Sequence, residues 1–219
     1  MTIRAASSLH KLSRLPVLLL ALAGAVVSSA CVPLAVGGAM VGGGLMATDR
    51  RTSGAQVEDE GIEYKAGARI REQLGDRVHV NVNSYNRMVL ITGETKTEAD
   101  RAKLEQIVAG VENVSRVLNE TAVTFLSSYT SRSNDVLIAT KVKASLVDAP
   151  DLISNAFYIV VERGEVFIMG RVTEREAARA VSIARGVSGV TKVVRAVEII
   201  SEEELARMLP KPAKAEAAK

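Results

Sequence analysis

Residues 164–177 read GEVFIMGRVTEREA, and an earlier stretch, residues 87–100, reads RMVLITGETKTEAD. Each stretch contains a short apolar run, and a Thr-Glu pair then opens a helical pattern. In the later stretch Thr173 and Glu176 form a capping box, in which each side chain accepts a hydrogen bond from the backbone N–H of the other residue. The offset of 77 residues between the two stretches predicts an internal duplication.

The duplication predicts two copies of one small unit with the element order αββαβ. The first helix of each copy carries an inward apolar stripe, formed by Ile62, Ala66 and Ile70 in the first copy and by Ile138, Val142 and Leu146 in the second. We expect Asn134 or Asp135 to cap that helix in the second copy. Units of about 65–70 residues bury only about 60% of their chain surface, so we expect the copies to pack together.

The composition excludes several classes of function. The 219 residues include one Cys (Cys31) and two His (His10 and His79), which are too few for a His/Cys metal cage, a Cys–His nucleophilic pair or an intrachain disulfide. Acidic pairs fall in predicted caps and turns, with no nucleophile or Gly-rich elbow to accompany them. We therefore predict that the protein is not an enzyme and has no metal or other cofactor.

The net charge of +3 has its origin in the N-terminal segment. Residues 1–30 contain Arg4, Lys11 and Arg14 and no acidic residue, and the remaining chain has 25 basic and 25 acidic residues. A neutral chain with 3% aromatic residues lacks the electrostatic and stacking surfaces of a nucleic-acid-binding protein. We predict no nucleic-acid partner.

The first thirty residues have the pattern of an export signal. The three basic residues precede an apolar run, residues 15–27, that is shorter than the roughly twenty residues needed to span a bilayer. Small residues ending at Ala30 then precede Cys31. This resembles a bacterial lipoprotein signal, which implies that Cys31 is lipidated, although Ser28 stands where such signals prefer Leu. The alternative is ordinary cleavage near Ala30, which would leave a free thiol.

The segments outside the two copies are an anchor, a tether and a tail. Val32, not Asp, follows the cysteine, and in the lipoprotein sorting of enteric bacteria that residue implies delivery to the outer membrane. Residues 31–57 form the lipidated Cys and a Gly-rich tether, and residues 201–219 are expected to form a short helix and a disordered tail.

The stretch 164–177, together with residues 186–190 (Gly-Val-Ser-Gly-Val), resembles the core of the BON family (bacterial OsmY and nodulation domain). Residues 47–51, 56–59 and 133–135, together with Cys31, are similar to lipid-anchored members of that family with two modules. The resemblance implies an α+β fold of two tandem modules, each with the order αββαβ, a small three-stranded mixed sheet and two helices.

The two modules are expected at residues 58–125 and 132–200. The resemblance implies an outer-membrane lipoprotein that faces the periplasm, binds anionic phospholipid such as phosphatidylglycerol through its second module, and supports envelope integrity with enrichment at the division septum. The first module holds 9 basic and 12 acidic residues, and the second holds 10 and 8. Charge therefore favours the second module as the one that meets anionic headgroups.

The candidate lipid-binding residues are Val136, Leu137, Lys141 and Lys143, on the first helix of the second copy. An apolar residue with a lysine one turn beyond it, as in Leu137 and Lys141, suits the boundary between headgroups and acyl chains. The residues alone also allow Leu137 to cover the edge of the core and Lys141 to be merely solvated. In the family this helix contacts lipid, and lipid-anchored members carry Trp where Leu137 stands.

Two further alternatives stay open at the level of sequence. Arg175 and Arg179 either contact phosphates or form a solvated helix face paired with Glu174 or Glu176. The whole protein is either the lipid-binding module described above or an interaction adaptor for envelope assembly proteins, with lipid contact only through Cys31.

Overall fold

The computed structural model describes residues 49–125 and 129–208, which contain both copies of the duplication. The predicted signal peptide, Cys31, most of the tether and the tail beyond residue 208 lie outside these residues. Among the helices of the described ranges, none has both the length and the apolar character required to cross a membrane.

Each module has the predicted order of elements. The first contains α1 (Ser53–Leu74), β1 (Val78–Tyr85), β2 (Met88–Thr95), α2 (Glu98–Ala109), β3 (Arg116–Asn119) and β4 (Ala122–Val123). The second contains α3 (Tyr129–Val147), β5 (Phe157–Glu162), β6 (Glu165–Val172), α4 (Glu174–Arg185) and β7 (Lys192–Ile199), and the short helix α5 (Glu202–Met208) follows it. The predicted α+β class and the αββαβ order are confirmed.

Both sheets are mixed. In each, the first two strands form an antiparallel hairpin, and the last strand lies parallel to the middle one. The first sheet differs from the expected three strands, because its last strand is divided into β3 and β4, which pair with β2 in one continuous register. At the point of division, the side-chain oxygen of Asn119 accepts hydrogen bonds from the backbone N–H and the hydroxyl of Thr121.

The two hairpins turn on residues with positive φ, namely Asn86 and Arg87 in the first module and Arg163 and Gly164 in the second. Such tight turns leave backbone N–H groups that need acceptors. In the first module, Asp59 of α1 accepts from the N–H groups of Asn86 and Arg87, both at 2.8 Å. A helix carboxylate therefore holds the hairpin turn.

Asp135 of α3 does the same in the second module. It is buried and accepts from the N–H groups of Arg163 and Gly164 at 2.9 and 2.8 Å. The prediction that Asn134 or Asp135 caps this helix is wrong, because α3 begins at Tyr129 and Asp135 lies inside it. The Asp135 carboxylate therefore accepts hydrogen bonds from N–H groups of the hairpin turn, and not from those of the helix terminus as predicted.

The helices of each module pack on one face of its sheet. The predicted apolar stripes of α1 and α3 form the centres of the two cores, where Ile62 is 2% exposed and Ile138 is 1% exposed. Thr173 and Glu176 form the predicted capping box at the start of α4. Local periodicity and capping chemistry thus account for the interior of each module.

The two sheets pack face to face, on the sides that point away from the helices. Their contact forms a third buried cluster, which consists of Tyr85, Leu90, Phe167, Met169 and Ala196. Polar contacts flank the cluster, including the hydroxyl of Tyr158, which donates to Asn83 at 3.2 Å. The expectation that the copies pack together is confirmed, and the order of layers is helices, sheet, sheet, helices.

The residues that precede α1 bind both modules. Arg50 makes a bidentate ion pair with Glu176, at 2.7 and 2.8 Å, in the second module. Its neighbour Arg51 pairs with Asp59 at 2.9 Å and lies 4.2 Å above the ring of Tyr85 in the first. Burial raises the pKa of Tyr85 to about 12, so the ring stays neutral beneath the guanidinium.

Candidate membrane-binding surface

The outer face of α3 carries the predicted lipid-binding residues. Ile138, Val142 and Leu146 are buried on one face of α3. Because an α-helix has 3.6 residues per turn, the residues on the opposite face of α3 point toward solvent. Val136 and Leu137 lie on that outer face and are 65% and 59% exposed. More than half of the Leu137 side chain is therefore open to solvent.

Other outer positions of α3 extend this apolar surface. Val147, at the last residue of the helix, is 67% exposed. The hydroxyl of Thr140, between the two ends, donates to the carbonyl of Val136 at 2.9 Å, so it is already hydrogen bonded within the helix. The eleven helical steps from Val136 to Val147 span about 16 Å, so exposed apolar groups occur at both ends of this stretch rather than at one end only.

Two lysines flank the apolar surface. Lys141 and Lys143 are exposed, and with a rotation of about 100° per residue they lie on opposite sides of the line from Val136 to Val147. Neither lysine makes an ion pair with any described residue. An ammonium group that is not neutralised within the protein is free to bind an external anion.

The arginines of the β6–α4 region are different, because acidic residues neutralise them. Arg171 pairs with Glu198 and Glu204, Arg175 with Glu202, and Arg179 with Asp151. The interpretation of Arg175 and Arg179 as a solvated, paired face is thereby supported, although their partners are not the expected Glu174 and Glu176.

This arrangement matches the physical demands of a headgroup boundary. Leucine and valine side chains gain from removal from water, at about 25 cal/mol for each Å² of apolar surface. The lysines remain beside them at the level where phosphate groups lie, and each contributes about 1 kcal/mol near an anionic surface. The outer face of α3, defined as Val136, Leu137, Thr140, Lys141, Lys143 and Val147, is hereafter called the α3 surface.

Sequence reasoning named four of these six residues and missed Thr140 and Val147. A helical wheel drawn from the inward stripe places Val147 on the outer face, so the signal was present in the sequence. Whether it was exposed depended on where α3 ends and on what packs beside that end. The remaining predicted site residue, Cys31, lies outside the described residues.

The described part of the chain offers no alternative centre of metal chemistry, since no group of three or more His, Cys, Asp or Glu side chains in it is arranged to hold a metal ion.

This chain is similar in sequence to a known domain family and to known proteins. The BON domain family matches residues 59–124 and 134–201. The outer membrane lipoprotein DolP of Haemophilus influenzae is 33% identical over 186 residues, which cover 84% of this chain and 96% of that protein. A 21 kDa hemolysin of Actinobacillus pleuropneumoniae is 29% identical over 154 residues, which cover 69% of this chain and 79% of that protein.

Among solved structures, the C-terminal domain of CdsD, a structural protein of the type III secretion system of Chlamydia trachomatis, is similar at 11% identity and a TM-score of 0.27, over 63% of this chain and 96% of that one. A likeness this distant carries no argument about function. The fold itself defines a protein of two tandem αββαβ modules. Because the family matches two segments of the chain and a relative is 33% identical over 84% of it, the chain belongs to the BON family.

Proposed function

We propose that this protein is an outer-membrane lipoprotein whose second BON module binds anionic phospholipid through the α3 surface. It faces the periplasm, is anchored through Cys31, supports the integrity of the outer membrane and is enriched at the division septum. The observation that carries the proposal is the set of exposed apolar residues on α3, flanked by two lysines that make no ion pair with the described residues.

The anchor and the surface are compatible with one membrane. The relative from Haemophilus influenzae is named as an outer membrane lipoprotein, and the pattern that ends at Cys31 resembles a lipoprotein signal. Arg50 follows Cys31 by nineteen residues, which span at most about 65 Å when fully extended. A module held at Arg50 is therefore within reach of the membrane that holds its own anchor.

Vesicle co-sedimentation tests the proposal. The compact unit Thr48–Lys219, which lacks the anchor, is mixed with vesicles that contain phosphatidylglycerol or only zwitterionic lipid. We expect binding to the anionic vesicles alone and weaker binding at high salt. The double variant Lys141→Glu/Lys143→Glu should bind at least about 30-fold more weakly, since each lysine near the surface contributes about 1 kcal/mol.

The control keeps the change in net charge and moves it to the first module. Lys96 and Lys103 are exposed and make no ion pair with described residues, so Lys96→Glu/Lys103→Glu matches the double variant in charge. We expect it to retain binding within about threefold. Equal losses in both variants would mean that only net charge matters. No binding by the unaltered unit would favour the adaptor for envelope assembly proteins, in which lipid contact comes only from the anchor.

A further inference from the structure

The outer face of α1 carries a regular seam of uncharged residues that no described element covers. Its members recur at alternating steps of three and four, and we call Gly54, Val57, Gly61, Tyr64 and Ala68 the α1 seam. This is the spacing of a helix that packs along another helix. The two large members are well exposed, Val57 by 69% and Tyr64 by 76%. The inward stripe of the same helix, Ile62 and Ala66, lies on the opposite side.

The sizes of the seam residues alternate. Small residues occupy one heptad position (Gly54, Gly61 and Ala68), and large residues occupy the other (Val57 and Tyr64). In a parallel pair of identical helices, large would meet large and small would meet small, so the small layers would contain gaps. In an antiparallel pair each large residue faces a small one. The seam is therefore complementary to itself when the second helix runs in the opposite direction.

We propose that α1 is a self-association surface, at which two copies of this chain pair through an antiparallel contact of their α1 seams. The charges beside the seam select one register. With Gly61 opposite Tyr64 of the second copy, Glu58 lies beside Lys65 of the second copy, and symmetry repeats this contact. A shift by one heptad would instead bring Glu58 against Glu58 and Glu60 against Glu60, which is repulsive.

The residues that this pairing uses are available. Glu58 and Glu60 make no ion pair with described residues, and Lys65 has only a long contact of 3.7 Å with Glu112, in which both side chains are more than half exposed. A Cβ atom added at Gly61 would meet nothing within 4 Å, so the space over that glycine is open to an incoming side chain. A single pair of helices makes a small interface, so we expect a weak dimer.

Sedimentation equilibrium of the full-length processed chain in detergent, from about 1 to 200 μM, tests this inference. We expect a reversible monomer–dimer equilibrium. Gly61→Leu should weaken dimerisation at least about tenfold, because its side chain fills the space meant for Tyr64, while the open surroundings and the better helix propensity of Leu preserve the fold. Ala102→Leu, which adds the same side chain to an exposed position of α2, is the matched control and should leave dimerisation unchanged.

Charge exchange tests the direction and the register. Glu58→Lys and Lys65→Glu should each weaken the dimer by about tenfold, and the double variant should restore it to within about twofold of the unaltered chain. A chain that stays monomeric at 200 μM overturns the inference. So does a dimer that is indifferent to Gly61→Leu, or a double variant that fails to recover.

Discussion

Glu176 performs two tasks at one position. Its carboxylate accepts from the backbone N–H of Thr173 at 3.0 Å in the capping box, and it also accepts two hydrogen bonds from the Arg50 guanidinium, which donates a third to the carbonyl of Arg171. The side chains of this ion pair are only 5% and 3% exposed. Burial alone would raise the pKa of Glu176, but the hydrogen bonds from Arg50 and Thr173 outweigh it and lower the pKa. The pair thus holds the segment before α1 against the second module.

Glu176→Gln should lower the free energy of unfolding at neutral pH by about 3 kcal/mol, because Arg50 then remains buried without a counter-charge. The lowered pKa sets the pH dependence. The stabilisation from the carboxylate is complete at neutral pH and is lost as the pH falls below about 4.3, the usual pKa of glutamate. The unaltered protein should therefore lose stability more steeply in acid than the variant, as measured by urea unfolding at pH 7 and pH 3.5.

Glu174→Gln is the control, since Glu174 lies two residues away and pairs with Arg195 at an exposed site. Its effect at neutral pH should stay below about 1 kcal/mol. Equal effects of the two substitutions would contradict the importance assigned to burial of the Arg50 pair.

At the scale of elements, α1 and α3 are related by more than their apolar stripes. Each contributes one buried Asp, at position 59 or 135, that accepts the N–H groups of the following hairpin turn. The helix therefore determines where the hairpin lies as well as covering the sheet. This contact also positions the α3 surface, because it ties the part of α3 that carries Val136 and Leu137 to the β5–β6 turn.

Asp135→Ala should lower the free energy of unfolding by about 2–3 kcal/mol, since it leaves the N–H groups of Arg163 and Gly164 without their charged acceptor while alanine favours the helix. Thermal or urea unfolding measures the loss. The control Asp148→Ala alters an exposed Asp just beyond α3, and its effect should stay within about 0.5 kcal/mol. A loss below 1 kcal/mol for Asp135→Ala would show that water replaces the carboxylate at the turn.

The whole molecule is organised by the contact between the two sheets, and that contact includes a poorly paired charge. Glu94 of β2 is fully buried, and neither of its carboxylate oxygens has a hydrogen-bond partner among the described residues. Arg163, 43% exposed, is 3.9 Å away. The pKa of the nearby Glu162 is raised, mainly by its own burial and then by the charge of Glu94. The interface between the modules is thus not optimised for stability.

Glu94→Met should raise the free energy of unfolding by about 1 kcal/mol or more, because an apolar side chain of similar volume replaces a buried carboxylate. Arg163 remains able to reach water. Urea unfolding, followed by probes in each module, measures the change. Glu72→Met, at an exposed position of α1, is the control and should change stability by less than about 0.5 kcal/mol. A destabilised Glu94→Met protein would show that the long contact with Arg163 stabilises the interface.

Local sequence patterns were enough to predict the duplication, the order of the elements, the inward stripes of α1 and α3, and the exposed positions of four residues of the α3 surface. These follow from helical and strand periods and from capping chemistry, which are properties of neighbouring residues.

The remaining features depend on contacts between segments that are distant in the sequence. Arg50 pairs with a carboxylate 126 positions away, and Asp135 binds a hairpin turn instead of capping a helix. Val147 is exposed, and Glu94 is buried between the sheets. Each outcome depends on which distant segments meet. Local periodicity carries no information about such tertiary contacts. It shows which face of a helix or strand is apolar, but it does not show which other segment packs against that face.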